Sequence, residues 1–359
     1  MRDSFDVLVA GGGAAGSAAA LDLSRRGLSV ALIEQDDYRA LRIGETLPPM
    51  IRQQLTALGV WERFRECGPL ESYGIQTAWE SATPRHQDFL RNPYGCGWHV
   101  DRARFDAMLA AAAAQAGAEL FVSARASECH RQEDGRWRLE ASLGGATLTL
   151  TGRVLVDATG RKALFAARQG AQPQVSDRLI AAVTLSDTSD PAQQTLIEAV
   201  EQGWWYSAPL PDGRMVFAYM TDSDLWKNPV WSELVEQAPL TSARAKHLPV
   251  PPPFQIVSAA SVIRKPVAGP GWIVIGDAAL AFDPLSGQGV FKSIESGMRA
   301  AAAIARALTG EAAAFGEYET WVQETYRDYL RLRAQFYEAV RRWPGSPFWD
   351  RRAPGGYHK

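Results

Sequence analysis

The apolar run Asp6-Val7-Leu8-Val9-Ala10 leads straight into Gly11-Gly12-Gly13-Ala14-Ala15-Gly16. No other feature constrains the fold of this chain as much. A short, uninterrupted apolar run is the pattern of a strand buried on both faces of a parallel sheet. The glycine segment then opens a helical stretch to Arg26, and a second buried strand follows from Ser29 to Glu34. A lone G-x-G-x-x-G carries little weight; a strand before it and a helix after it give it meaning. Gly11 permits the tight turn, Gly13 lets the backbone approach a pyrophosphate, and Gly16 lets helix and strand pack closely. Ala14 and Ala15 open the helix, where free N–H groups and the dipole favour an anion. Glu34 is placed to accept hydrogen bonds from a ribose diol, and its charge disfavours a 2′-phosphate. The segment therefore predicts a site for FAD or NAD rather than NADP.

Two later runs carry the same buried-strand pattern. Arg153 to Asp157 ends in the small-residue turn Ala158-Thr159-Gly160, and Trp272 to Ile275 ends in Gly276-Asp277-Ala278-Ala279. Asp277 falls at the carboxyl end of a strand, where open α/β sheets bind their ligands. Phe282-Asp283-Pro284-Leu285-Ser286-Gly287-Gln288-Gly289-Val290 follows, and then a helix to about Leu308.

With these three blocks in order, the chain resembles the FAD-dependent aromatic-hydroxylase and geranylgeranyl-reductase superfamily. The resemblance implies FAD as cofactor. It makes Asp157 and Gly160 the family's "DG" motif, and Gly276 and Asp277 its "GD" motif, with Asp277 on the ribityl chain. Pro284, Gly287 and Gly289 would form the loop against the isoalloxazine. The helix starting near Gln288 would point its positive end at flavin N1/C2=O. Arg102, in Val100-Asp101-Arg102-Ala103-Arg104-Phe105-Asp106, matches the family's FAD-contacting arginine. The segment from Arg42 to Pro49 resembles one that tryptophan halogenases and their relatives carry beside the flavin.

Between these blocks the pattern changes to alternation. Tyr73 to Glu80 and Gly203 to Asp222 read as antiparallel strands, the latter pair joined by the turn Leu210-Pro211-Asp212-Gly213-Arg214. The expected fold is α/β: a Rossmann-like FAD-binding domain of the hydroxylase type, interrupted by a mainly antiparallel β-sheet substrate domain, with a C-terminal helix. The expected boundaries are 1–72, 99–177 and 266–310 for the FAD-binding domain, 73–98 and 178–265 for the substrate domain, and 311–359 for the C-terminal helix and tail. Pro249 to Pro253 reads as an extended spacer. An aromatic stripe from Phe315 to Trp343 predicts a helix packed on the domain interface, and the tail from Pro344 reads as a strap or a disordered end.

Composition narrows the function classes. The 359 residues allow two domains at roughly 150 residues each. With 38 Lys and Arg against 40 Asp and Glu, the chain has no basic footprint for nucleic acid or an anionic membrane. No apolar run reaches the roughly 20 residues of a membrane span. The three cysteines, Cys67, Cys96 and Cys129, form no CxxC and suit a reducing compartment. The N-terminus enters a strand with no room for a secretion signal, so a cytoplasmic location is expected.

The reaction is narrowed by one gap. Trp204-Trp205-Tyr206-Ser207-Ala208-Pro209 resembles both the halogenase Trp-x-Trp-x-Ile-Pro strand and the Tyr-x-Trp-x-Phe-Pro strand of geranylgeranyl reductases. Halogenases, however, need an early lysine to take up hypohalous acid. Here 18 arginines but no lysine precede Lys162, and arginine cannot deprotonate to substitute. The resemblance then implies a monooxygenase in which reduced flavin traps O₂ as a C4a-hydroperoxide and hydroxylates an electron-rich ring, with prenyl-chain reduction and halogenation as alternatives. Trp79, Trp98, Trp204 and Tyr206 are candidates to line a pocket for an indole or phenol. Glu45, His99 and Tyr206 are the candidates for moving a proton, and no metal site is expected. The combined pattern looks most like the flavoproteins that mature tryptophylquinone cofactors by hydroxylating a tryptophan in a partner. The implied partners are an aromatic small molecule or a tryptophan-bearing protein or peptide, and O₂. No second dinucleotide motif appears, so electrons would come from transient NAD(P)H or from a separate flavin reductase.

Overall fold

The structure is a computed structural model describing residues 2–40, 42–89, 91–187, 193–227, 229–245 and 254–353. The apolar run at the start of the chain forms the strand Ser4–Ala10, with Val7, Leu8 and Val9 fully buried. A strand apolar on both faces is stable only inside a covered sheet, and that is where it lies. Its neighbours are Ala146–Asp157 on one side and Val30–Ile33 on the other, both parallel to it. Trp272–Val274 and Glu119–Phe121 extend the parallel array outward. A hairpin of Ala124–Arg131 and Trp137–Leu143 continues from the long strand Ala146–Asp157.

The helix Ala14–Arg25 packs against two others, Arg102–Gln115 and Gly289–Leu308. Small residues make the second contact possible. A Cβ on Gly297 would lie 2.4 Å from Ala15 O, so the two backbones touch at a place where no side chain fits. The first and last thirds of the chain are thereby joined.

A seven-stranded sheet faces this layer. Its order is Gln255–Ser258, Leu179–Asp187, Arg214–Asp222, Gly203–Pro209, Thr195–Val200, Gly74–Ala78 and Arg85–Asp88. All neighbours are antiparallel except Thr195–Val200 with Gly74–Ala78. A small antiparallel sheet of Thr46–Leu47, Gly97–His99 and Leu70–Ser72 lies elsewhere in the chain. The expected α/β architecture with a second, mainly antiparallel sheet and a C-terminal helix is the fold observed.

The aromatic stripe forms the helix Ala314–Glu338, and its tyrosines tie it to several segments. Tyr318 donates to Val274 O at 2.9 Å, Tyr326 pairs with Ser176, and Tyr329 accepts from Asp283 N–H at 2.8 Å. Tyr337 donates to Asp283 Oδ2 at 2.8 Å. Beyond the helix, Phe348 and Trp349 are buried against the seven-stranded sheet, and Arg352 pairs with Asp222 at 2.6 Å. Residues 344–353 are thus strapped down, while the Pro249–Pro253 spacer and the last six residues lie outside the described residues. The cysteines are free, and burial pushes the Cys129 thiol up to about 12. No helix among the described residues is long and apolar enough to cross a membrane.

Candidate functional site

The two layers enclose a cavity of ≈ 610 Å³. One wall comes from the turns at the carboxyl ends of the parallel strands: Gly11, Gly13, Ala14, Ala15, Glu34, Gly160 and Asp277 all line it. The opposite wall is the mainly apolar face of the seven-stranded sheet, with Ala181, Ile197, Val216, Ala218 and Met220, interrupted by Thr195, Tyr206 and Ser258. The segment Pro284, Gly287 and Gly289 borders it, and the helix Gly289–Leu308 begins there. Gln288 caps that helix but faces a second cavity instead.

The glycines divide into two kinds. A Cβ on Gly13, Gly160, Gly287 or Gly289 would meet nothing, so these positions present bare backbone to open space. A Cβ on Gly16 would lie 1.8 Å from Gly11 O, and one on Gly276 would lie 2.7 Å from Ala15 Cβ. Gly16 and Gly276 serve packing and do not line the cavity.

Charged residues around the cavity are largely held by one another. Glu34 Oε2 accepts from Gly12 N–H at 2.6 Å, and Oε1 accepts from Arg42 at 3.0 Å. Arg42 also contacts Asp106 at 2.8 Å, and Arg102 contacts the same carboxylate at 3.2 Å. Asp106, at 1% side-chain exposure, is thus a buried anchor between two cavity-lining arginines. The i, i+4 spacing of Arg102 and Asp106 was its signal in the sequence. Asp157 does not face the cavity. Its Oδ2 accepts from Phe165 N–H and Ala166 N–H at 2.9 and 2.8 Å, while Oδ1 accepts from Thr159. It shapes the turn that carries Gly160. Asp277 keeps a freer carboxylate, 3.8 Å from Arg161. The surrounding protein raises its pKa, opposed by the charges of Arg161 and Arg102.

Glu45, Tyr206 and His99 meet in one chain of hydrogen bonds. Tyr206 donates to Glu45 Oε1 at 2.5 Å, and Thr46 Oγ1 lies 2.6 Å from Tyr206 Oη. Thr46 Oγ1 is also 3.0 Å from His99 Nδ1. Since Tyr206 gives its proton to Glu45, Thr46 donates to Tyr206 and His99 Nδ1–H donates to Thr46. His99 Nε2 is then an acceptor, and it meets no partner among the described residues. Burial, with Arg244 adding to it, lowers the His99 pKa to about 3, so the ring is neutral. Burial and the Glu45 charge push the Tyr206 hydroxyl well above its usual range. Thr46 is the link that the sequence reading missed.

The expected aromatic wall is corrected. Only Tyr206 of the four aromatics lines this cavity. In the strand Gly97–His99, successive side chains face opposite ways, so with His99 turned toward Thr46, Trp98 points into the core against Trp61 and Phe64. Trp204 is fully buried and donates to Tyr337 Oη at 3.0 Å. Trp79 lines the second cavity, of ≈ 330 Å³.

Comparison with known proteins agrees with this geometry. The family model described as "FAD binding domain" matches residues 4–327. The chain belongs to this FAD-binding family. The FAD-dependent oxidoreductase LodB of Marinomonas mediterranea is 30% identical over 98% of this chain and 97% of its own length. A tryptophan 2-halogenase of Chondromyces crocatus is 26% identical over 94% of this chain and 69% of its own. Among solved structures, the flavin-dependent halogenase CmlS superposes with TM-score 0.89 at 24% identity, covering 99% of this chain and 68% of that one. The peptidyl tryptophan dihydroxylase QhpG gives TM-score 0.79 at 24% identity, covering 97% and 78%. The chain is an FAD-dependent oxidoreductase by family. The bare-backbone glycines and the helix N-terminus beside Gly13 fit FAD, since both leave room and N–H donors for a pyrophosphate.

Proposed function

We propose that this protein is an FAD-dependent monooxygenase that hydroxylates an electron-rich aromatic ring. The observation that carries the reading is the sheet-side wall of the cavity: among the described residues it is mainly aliphatic, its polar members are Thr195, Ser258 and Tyr206, and Tyr206 is bonded to Glu45. Lys162 is the one lysine lining the cavity among the described residues, and it sits on the opposite wall, on the turn after Gly160. A wall without an amine lacks the group that halogenation requires of it, while hydroxylation asks little acid–base work of the protein.

In this reading Gly11, Gly13, Ala14 and Ala15 hold the FAD pyrophosphate, Glu34 the ribose, Asp277 the ribityl chain, and Pro284 to Gly289 the ring. Arg42 and Arg102 line the same cradle and are kept in place by Asp106. Reduced FAD, when bound, would activate O₂, which is the source of the inserted oxygen atom. The chain's own residues do the rest. Ala181, Ile197, Val216 and Met220 exclude water. Glu45 takes the proton released by the substrate ring, through Tyr206, and Thr46 links this pair to the neutral His99. The likeness to the peptidyl tryptophan dihydroxylase supports a tryptophan side chain in a partner as the substrate, with electrons from NAD(P)H or a separate reductase.

The relatives named as halogenases favour a second reading, and one experiment separates the two. Reduced FAD and O₂ are supplied with indole, tryptophan and tryptophan-bearing peptides in chloride buffer, and product masses are read. Gain of oxygen is expected. Gain of chlorine, or of two hydrogens on a prenyl chain offered in parallel, overturns the proposal.

A further inference from the structure

The register of the seven-stranded sheet decides which side chains face the first cavity. Thr195 pairs with Ile75, and Ile197 with Tyr206, which in turn pairs with Ala218. Successive side chains of a strand turn to opposite faces, so Thr195 and Ile197 share the face that carries Tyr206. All five residues line the first cavity, and Ile75 and Ile197 line the second as well. Thr195 therefore stands where the two cavities meet, 2% exposed and flanked by the two isoleucines.

The hydrogen-bond chain beside it fixes what its hydroxyl can offer. Both Glu45 oxygens accept, one from Gly44 N–H at 3.0 Å and the other from Tyr206. Tyr206 accepts in turn from Thr46, which uses the only proton of the Thr46 hydroxyl, and Thr46 also accepts from His99 Nδ1–H. Thr46 Oγ1 lies 3.4 Å from Thr195 Oγ1, and with no proton left to give it can only accept there. Thr195 is thus the donor of that pair. A hydroxyl has one proton and two lone pairs, so both lone pairs of Thr195 remain for a ligand. Of the other polar side chains on this wall, Tyr206 is bonded to Glu45 and Thr46. Ser258 is exposed on the edge strand Gln255–Ser258, where its hydroxyl can turn to solvent.

An aliphatic face takes a flat ring, and a buried acceptor set into that face takes a donor. The donor must be neutral and single, because an ammonium would bring further N–H groups against apolar side chains that cannot satisfy them. A ring carrying only acceptors would set lone pair against lone pair.

We propose that Thr195 is the specificity-determining residue of the sheet wall, its hydroxyl oxygen accepting from the ring N–H or O–H of the aromatic substrate. The arriving donor polarises the long Thr195–Thr46 bond and so strengthens it. This deepens the monooxygenase reading and rests on it for the reaction, while recognition is measured without turnover.

The test is calorimetric titration of the oxidised, FAD-loaded protein with indole and with benzofuran, which has the same ring shape and an oxygen in place of the N–H. Thr195→Val removes the hydroxyl with little change of shape, and Thr195→Ser keeps it; Thr195→Ala takes the place of the valine variant if that one holds no FAD. The wild type and Thr195→Ser should favour indole about tenfold. Thr195→Val should bind the two rings equally, with the wild-type affinity for benzofuran. Equal affinities in the wild type, a preference that survives Thr195→Val, a loss in Thr195→Ser as large as in Thr195→Val, or no binding of indole each overturns the assignment. Gain of chlorine by an indole that binds with the expected preference would sink the reaction and spare the recognition. Gain of oxygen on indole, with equal affinity for the two rings, would do the reverse.

Discussion

Arg333→Met should be among the most damaging single substitutions outside the cavity. The Arg333 guanidinium lies 3.0 Å from Asp177 and 3.1 Å from Asp283, with 9% of its side chain exposed and neither carboxylate accessible. It also sits 5.0 Å over the Tyr337 ring. Methionine keeps much of the volume and removes the charge, leaving two buried carboxylates without their shared counter-ion. Removing one partner from such a buried arrangement costs about 3–5 kcal/mol, against a total stability on the order of 5–15 kcal/mol for a folded protein. Asp283 begins the Pro284–Gly289 segment that borders the cavity, and Tyr329 and Tyr337 hold it in place. Loss of stability should therefore come with weaker FAD retention. Urea unfolding followed by tryptophan fluorescence checks this. Arg333→Lys should recover part of the loss, since a single ammonium cannot span both carboxylates as the guanidinium does. A Met variant with the wild-type urea midpoint would refute the reasoning.

Asp277→Ala should purify with little flavin absorbance; full flavin content would show that the carboxylate has been misassigned. Gly13→Ala should melt like the wild type yet retain less FAD, whereas Gly16→Ala should fail to fold, because its Cβ would lie 1.8 Å from Gly11 O. Soluble, flavin-loaded Gly16→Ala would contradict this. Tyr206→Phe takes the donor from a buried Glu45 and should cost about 1.5–3 kcal/mol, while slowing product formation more than it changes substrate affinity; unchanged turnover would remove Tyr206 from the reaction. His99, with its folded pKa lowered to about 3 from roughly 6.5, contributes stability that is full above pH ~6.5 and is lost progressively as pH falls toward the folded value. His99→Asn should flatten that part of the stability–pH curve, and an unaltered slope would count against the buried neutral ring.

Local patterns made much of this architecture legible. Val7 to Val9 read as a buried strand because no polar residue interrupts them, and the Tyr318–Tyr337 spacing read as a helix because it follows the helical period. What the sequence could not convey was which face of a strand meets which neighbour. Trp98 and His99 differ by one position, and only the register with Thr46 and Leu47 sends one to the core and the other to the relay. Thr46 and Tyr206 are 160 residues apart, and nothing local marks them as partners. Asp157 illustrates a different limit. Its place in the motif was plain, but both its oxygens go to backbone and hydroxyl donors of its own turn.

The contact between Gly297 and Ala15 has a consequence for synthesis. The glycine motif is made well before the helix that covers it, so its own helix is covered only when Gly289–Leu308 arrives, and Trp272–Val274 must also pair before the edge of Ala146–Asp157 is closed. Contacts so distant along the chain form late and slowly. A nascent chain that stops short of residue 300 carries a dinucleotide motif with no finished cradle and an exposed apolar strand. Flavin capture therefore waits for residues 272–308, and until they are made the growing chain carries apolar surface that is prone to aggregate.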